Sequence, residues 1–262
     1  MTEVPLFIRP AVPALDAVLG QVFPVLDHGF IRVLDYMGDD AAIAQAARVS
    51  TGGGVKTAAE DAVLIRDLRR QHHTSPFEMC EIKLHVKLPI FVARQWIRHR
   101  TASVNEISGR YSVLENEFYV PDAAALRPLQ KHAPDLSPDQ RQAVQQILRD
   151  EAERAYATYQ VLLGKADPET QPVGVARELA RMVLSLNTYT QWYWKIDLHN
   201  LFHFFRLRCD VHAQYEIRCY ADVILELVQR WVPEAYAAFV EYDLSPVMLS
   251  ATQRQVPGVP DV

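Results

Sequence analysis

At 262 residues and 49% hydrophobic composition, the chain can bury one sizeable core as a single domain without disulfides or a structural metal. A net charge of −5 lacks the basic footprint of a nucleic-acid partner, so any phosphate site must be local. Only Cys80, Cys209 and Cys219 are present, with no Cys-x-x-Cys pair, no secretory signal and no membrane-length apolar run, which predicts a cytoplasmic protein without a thiolate metal site.

Phe30 to Met37 reads as a strand, and Asp40 to Val49 as an alanine-rich helix ending near Thr51-Gly52-Gly53-Gly54. That loop lacks the Gly-Lys-Ser/Thr ending of a phosphate-binding P-loop. Thr57 and Glu60 form a capping-box pattern that starts a helix running to about Arg70. Ile82, Leu84, Val86 and Leu88 alternate with polar residues, the period of a strand with one buried face, and Pro89 closes it. From Ile90 the period becomes helical, placing Gln95 and Arg98 on one face at the helix's C-terminal end, and Tyr111 to Val120 again looks extended.

Ser137, Pro138 and Gln140 then open a long amphipathic helix whose stripe runs from Val144 to Leu162 and stops at Gly164. Beyond the polar connector Ala166–Gln171, a helix carries Arg177 and Arg181 one turn apart, and Thr188 to Ile196 is aromatic and β-prone. Leu198 to Arg208 and the stripe from Ile217 to Trp231 complete a helical last third. Strands and helices do not alternate as βαβ units, which predicts an α+β fold: a small antiparallel or mixed sheet flanked by helices, with the long helix near 138–163.

Residues 95–111 concentrate the chemistry. Arg98, Arg100 and Arg110 with His99 surround Glu106, Ser108 and Gly109, a set of donors suited to phosphate oxygens, with arginine able to pair in a bidentate way. Arg98-His99-Arg100, seven residues and then Ser108 resembles the signature of the flavin-dependent thymidylate synthases. His73-Thr74-Ser75-Pro76-Phe77-Glu78 is similar to that family's upstream segment, and Leu207-Arg208 with His212-Ala213-Gln214-Tyr215-Glu216-Ile217-Arg218 to its C-terminal block. Three motifs in the right order span about Ser50 to Tyr220; residues 1–25, 122–172 and the tail 234–262 lie outside the clear match.

The resemblance implies roles. Gln95, Trp96, Ile97, Arg98, Glu106, Ile107, Ser108, Gly109 and Arg110, joined by Arg181 and Arg208, match dUMP-binding positions, with Ser108 to Arg110 and Arg181 on the phosphate. Ser75, Arg98, His99, Arg100 and Glu106, with Asp197, Leu198, His199 and His203, match positions that hold FAD. Arg208 matches the position beside the uracil N3/O4 edge, where a permanent charge stabilises the ionised ring, and is the expected catalytic residue. The family uses 5,10-methylenetetrahydrofolate as carbon donor and FAD reduced by NADPH, needs no cysteine adduct, and is a homotetramer with FAD at subunit interfaces. Two other readings compete. His199 and His203 stand at a metal-compatible i, i+4 spacing, as in a metal-dependent hydrolase, but lack the glutamate of His-Glu-x-x-His and a third ligand; a non-catalytic nucleotide-binding module would keep the arginines alone.

Overall fold

The computed structural model describes residues 10–128, 134–165 and 174–244; the connector Ala166–Gln171 and parts of both terminal segments lie outside the described residues. A short helix α1 (Pro13–Asp16) leads to strands β1 (Phe23–Val25) and β2 (Gly29–Met37), then α2 (Asp40–Val49), α3 (Ala58–Arg70) and the single turn α4 (Ser75–Glu78). Next come β3 (Glu81–Pro89), α5 (Ile90–Trp96), β4 (Ser103–Glu106) and the long α6 (Pro138–Leu162). The one-turn α7 (Arg177–Ala180) precedes β5 (Tyr189–Asp197), α8 (Leu198–Arg208), α9 (Tyr215–Trp231) and α10 (Pro233–Phe239).

The five strands pair antiparallel throughout in the order β1-β2-β3-β5-β4. The α+β expectation therefore resolves to its antiparallel form. Alternation along β3 becomes two faces: Ile82, Leu84 and Val86 are buried opposite Ile196, Trp194 and Trp192 of β5, whereas His85 and Tyr193 meet edge-on across the other face. Cross-strand apolar pairs of this kind are the unit of sheet stabilisation. Trp96, at the end of α5, packs onto this face with ring centroids 5.1 Å from Trp194 and 4.9 Å from Phe204 of α8. Tyr220 of α9 reaches the same cluster and donates its hydroxyl to the Lys87 carbonyl at 2.8 Å. Gly29 leaves room for that hydroxyl, since a Cβ there would stand 2.0 Å from it and 2.7 Å from the Val25 carbonyl.

Both predicted capping boxes form: Thr57 with Glu60 opens α3, and Ser137 with Gln140 opens α6. Three expectations are corrected. Tyr111–Val120 pairs only through an isolated bridge, Phe118 with Thr188, because Tyr111 and Ser112 instead turn back onto the Ser108 carbonyl. The segment of Arg177 and Arg181 tightens into 3-10 geometry after one turn, leaving Arg181 in the 3-10 part. Arg98 lies just past the end of α5, where its amide reaches the Gln95 carbonyl at 3.3 Å.

The segment after residue 233 also folds onto the domain. α10 packs on α3, and a following π-type turn, Val240–Leu244, places Asp243 2.5 Å from the Arg69 Nε with both side chains over nine-tenths buried. The Arg69 guanidinium lies 5.0 Å from the Phe202 ring centroid and 5.7 Å from those of Phe77 and Phe239.

Candidate active site

α5 runs only seven residues after Pro89 before the chain turns at Arg98–Arg100 and returns as β4 along the edge of β5. The register Ser103↔Lys195 keeps that turn beside the β5–α8 junction. Asp197 caps α8 by accepting from the Asn200 amide at 2.9 Å, which starts the helix and aligns its polar face with the arginines. Arg98, His99, Arg100, Thr101, His203 and Arg208, with Asn200 and Leu207, line a cavity of about 370 Å³.

Within it the Arg208 Nε donates to His99 Nε2 at 3.0 Å. The neutral His99 ring therefore carries its proton on Nδ1, and its edge-on contact with Phe204 at 5.0 Å holds the plane. Burial, then the Arg208 charge and His203, pushes the His99 pKa down to about 4. With Nε engaged by an uncharged acceptor, Arg208 keeps both terminal nitrogens for a ligand. Among the described residues neither Arg98, Arg100 nor Arg208 has a carboxylate partner, so the cavity presents three guanidinium groups whose charge no carboxylate neutralises.

The His99 shift has a pH consequence. Its folded pKa lies below the unfolded value of about 6.5, so its contribution to stability is complete above that value and is lost as pH falls toward 4. His99→Gln is expected to flatten the decline in thermal midpoint between about pH 6.5 and 4; a decline as steep as the parent's would show that other groups cause it.

A second cluster lies beyond β4. The Ser108 Oγ accepts from the Arg110 amide at 3.2 Å, and a Cβ on Gly109 would stand 3.0 Å from the Arg181 Cδ, so glycine lets Arg181 lie against this loop. Arg110 turns to Glu178 at 2.9 Å. Glu106 on the edge strand accepts from the Thr190 hydroxyl at 2.6 Å.

The remaining predicted residues divide by burial. Trp96 and Leu198 have no exposed surface and belong to the core, while Ile97 and Ile107 are exposed by 36% and 40%. Gln95 Oε1 and His199 Nδ1 are buried without a hydrogen-bond partner among the described residues. Ser75 borders a separate cavity with Arg48, Ser50 and His73. Asp197 is a helix cap as well as a candidate cofactor residue. Asn200, Thr101 and Leu207 were not expected; only the Asp197-x-x-Asn200 capping spacing hinted at the first.

An antiparallel sheet backed by helices, with two arginine-bearing clusters at either end of the edge strand, defines an α+β protein with a donor-rich cavity. The family described as thymidylate synthase complementing protein matches residues 32–234. A flavin-dependent thymidylate synthase of Gluconobacter oxydans (strain 621H) is 56% identical over 260 residues, covering 97% of this chain and 84% of that protein. One of Rickettsia conorii (strain ATCC VR-613 / Malish 7) is 54% identical, covering 92% of this chain and 86% of its own. The crystal structure of the UMP/dUMP methylase PolB from Streptomyces cacaoi bound with 5-Br dUMP superposes with a TM-score of 0.74 at 33% identity, covering 84% of this chain and 98% of that one. The chain thus belongs to the thymidylate synthase complementing protein family.

Proposed function

We propose that the chain is a flavin-dependent thymidylate synthase, a methyltransferase that reductively methylates dUMP to dTMP. In this reading 5,10-methylenetetrahydrofolate supplies the carbon, FAD is the cofactor with NADPH as its reductant, and tetrahydrofolate is released. The observation that carries it is the Arg208–His99 bond, which fixes a guanidinium at a donor-rich cavity shared by both ends of the Arg98-His99-Arg100 turn. The relatives named as flavin-dependent thymidylate synthases, and a structural neighbour that binds a dUMP analogue, support the substrate and cofactor.

The residues present suit a dinucleotide anion: three arginines without carboxylate partners among the described residues line the cavity, and the buried His199 Nδ1 lacks a partner nearby on α8. Arg98, His99, Arg100 and His203 would hold FAD, which when bound supplies the hydride. Arg208 would stabilise negative charge on the pyrimidine through its terminal nitrogens, and His99, neutral above about pH 4, orients it without adding a competing charge. Ser108, Gly109 and Arg181 form the phosphate end. Arg110 joins them by exchanging Glu178 for phosphate, a swap open to an exposed pair of small net strength.

A thiolate route is disfavoured. Burial pushes the Cys80 thiol up to about 12, and burial likewise raises Cys209 and Cys219. Replacing all three with alanine or serine should leave dTMP synthesis measurable. Loss of synthesis in a folded, flavin-loaded triple variant would refute the mechanism. The reading as a whole is tested by FAD titration followed by bleaching with NADPH: a protein with no FAD affinity is not this enzyme.

The same reading makes the protein a homotetramer with FAD at subunit interfaces, acting in the cytoplasm. The exposed apolar side chains Tyr111 and Met182, next in sequence to Arg110 and Arg181, support it. No helix among the described residues is long and apolar enough to cross a membrane. For the hydrolase alternative, the described residues contain no group of three or more His, Cys, Asp and Glu placed to hold a metal.

A further inference from the structure

The loop that carries Ser108, Gly109 and Arg110 is fixed at its entry by the sheet, where the Ile107 amide donates to the Gln191 carbonyl of β5 at 2.9 Å. Within it the Ser108 carbonyl accepts from the Tyr111 and Ser112 amides, both at 3.0 Å. Its exit is held by a helix instead. Leu114 belongs to no strand; its amide donates to the Tyr159 hydroxyl at 3.2 Å, and its carbonyl accepts from the Tyr156 hydroxyl at 3.3 Å. The two tyrosines stand one turn apart on α6 with ring centroids 5.8 Å apart, so one helix face satisfies both backbone groups of a single loop residue.

The buried residues of α6 are Ala152 and Tyr159, and Tyr159 has no exposed surface. The one large side chain that this helix buries is the one whose hydroxyl holds the loop. Leu114 passes the constraint on. A Cβ on Gly109 would stand 3.5 Å from the Leu114 Cδ1 as well as 3.0 Å from the Arg181 Cδ, so Leu114 and the Arg181 stem back the buried Gly109 from the same side. α6 also packs on the 3-10 turn Arg181–Val183, and Arg177 donates to the Tyr111 carbonyl at 3.2 Å. One helix therefore locates both the loop and the arginine that lies against it.

We propose that Tyr159, with Tyr156 beside it, is a positioning residue for the substrate phosphate, acting through Leu114 to set where Ser108, Gly109 and Arg181 meet that group. The inference rests on the function proposed above, in which these three form the phosphate end of the dUMP site. Tyr159 touches no ligand in this role. None of the residues lining the Arg208 cavity lies on α6, so loosening the loop should leave that cavity as it is.

The test uses Tyr159→Phe, which removes the hydroxyl and keeps the buried ring. Loss of the orienting bond predicts about a five- to tenfold rise in half-saturating dUMP, with turnover at saturation, FAD affinity and NADPH-driven flavin reduction within about twofold of the parent protein. Binding without turnover isolates the phosphate: the ratio of deoxyuridine to dUMP dissociation constants should shrink by about the same factor in Tyr159→Phe. Inorganic phosphate should likewise raise the thermal midpoint of the parent protein more than that of the variant. Leu114→Ala should shrink the ratio too, and adding Tyr159→Phe to it should cost little more, because both act through one contact. Tyr156→Phe, at a half-buried position, should move the ratio in the same direction, and it carries the test if Tyr159→Phe melts early. Equal weakening of dUMP and deoxyuridine, unchanged half-saturating dUMP, or full additivity of the Leu114 and Tyr159 replacements would overturn the proposal. A parent protein without FAD affinity would overturn the enzyme reading instead, and the midpoint shifts with phosphate would still decide whether Tyr159 positions a phosphate site.

Discussion

Arg208→Ala is expected to slow flavin reoxidation by methylenetetrahydrofolate and dUMP about a hundredfold, roughly 3 kcal/mol, while NADPH-driven flavin reduction stays near that of the parent protein. The reason is geometric. The guanidinium is half-buried, lines the cavity and is fixed through Nε by His99, a bond that leaves its two terminal nitrogens to meet developing charge with little reorganisation. Burial lowers the Arg208 pKa from its usual value, yet an arginine remains charged across any working pH. Arg208→Lys should recover only part of the rate, because an ammonium offers a point donor and cannot accept the His99 constraint while also making two parallel bonds. If Arg208 served only as a charge at the end of α8, its loss would cost under about 1 kcal/mol of stability and leave reoxidation unchanged. Stopped-flow reoxidation beside a thermal melt separates the two outcomes.

Asp243→Ala should destabilise the fold by about 3–5 kcal/mol, lowering the thermal midpoint by roughly 10 °C. It would strand the Arg69 guanidinium among Phe77, Phe202 and Phe239, where the rings offset only part of the lost pairing. The paired double replacement Arg69→Met with Asp243→Leu should restore most of the loss, since removing both charges leaves nothing buried and unpaired. A single variant that melts with the parent protein would show that the ion pair contributes little.

Most regular elements were legible because their burial is one-sided. The alternation of Ile82, Leu84 and Val86 and the caps at Thr57 and Ser137 each state a local rule that the fold keeps. β4 was missed for the opposite reason: all four of its residues are exposed, so no pattern marks it, and only pairing with β5 makes it a strand. β1 is three residues long and contains Pro24, which removes a ladder donor. Tyr111–Val120 misled through its aromatic and β-branched content, whereas the Ser108 carbonyl decides its course.

At the site, the Arg98–Ser108 motif and Arg208 were readable as types at fixed spacing, but their division was not. Trp96 and Ile97 are neighbours in sequence and opposite in burial, since α5 turns one inward and the other outward. The bond between His99 and Arg208 crosses 109 residues, and no local periodicity reports it.

The central pairing of β3 with β5 runs from Pro89↔Tyr189 out to Glu81↔Asp197, so the sheet's middle closes a loop of about one hundred residues before it gains a ladder. Such long-range closure slows folding, and during synthesis it cannot begin until β5 has emerged. His99 has no Arg208 to meet until α8 follows. A nascent chain halted before that point would have the arginine turn but no cavity. Acquisition of cofactor should therefore be a late event in the life of each chain, coming after the longest-range contacts have formed.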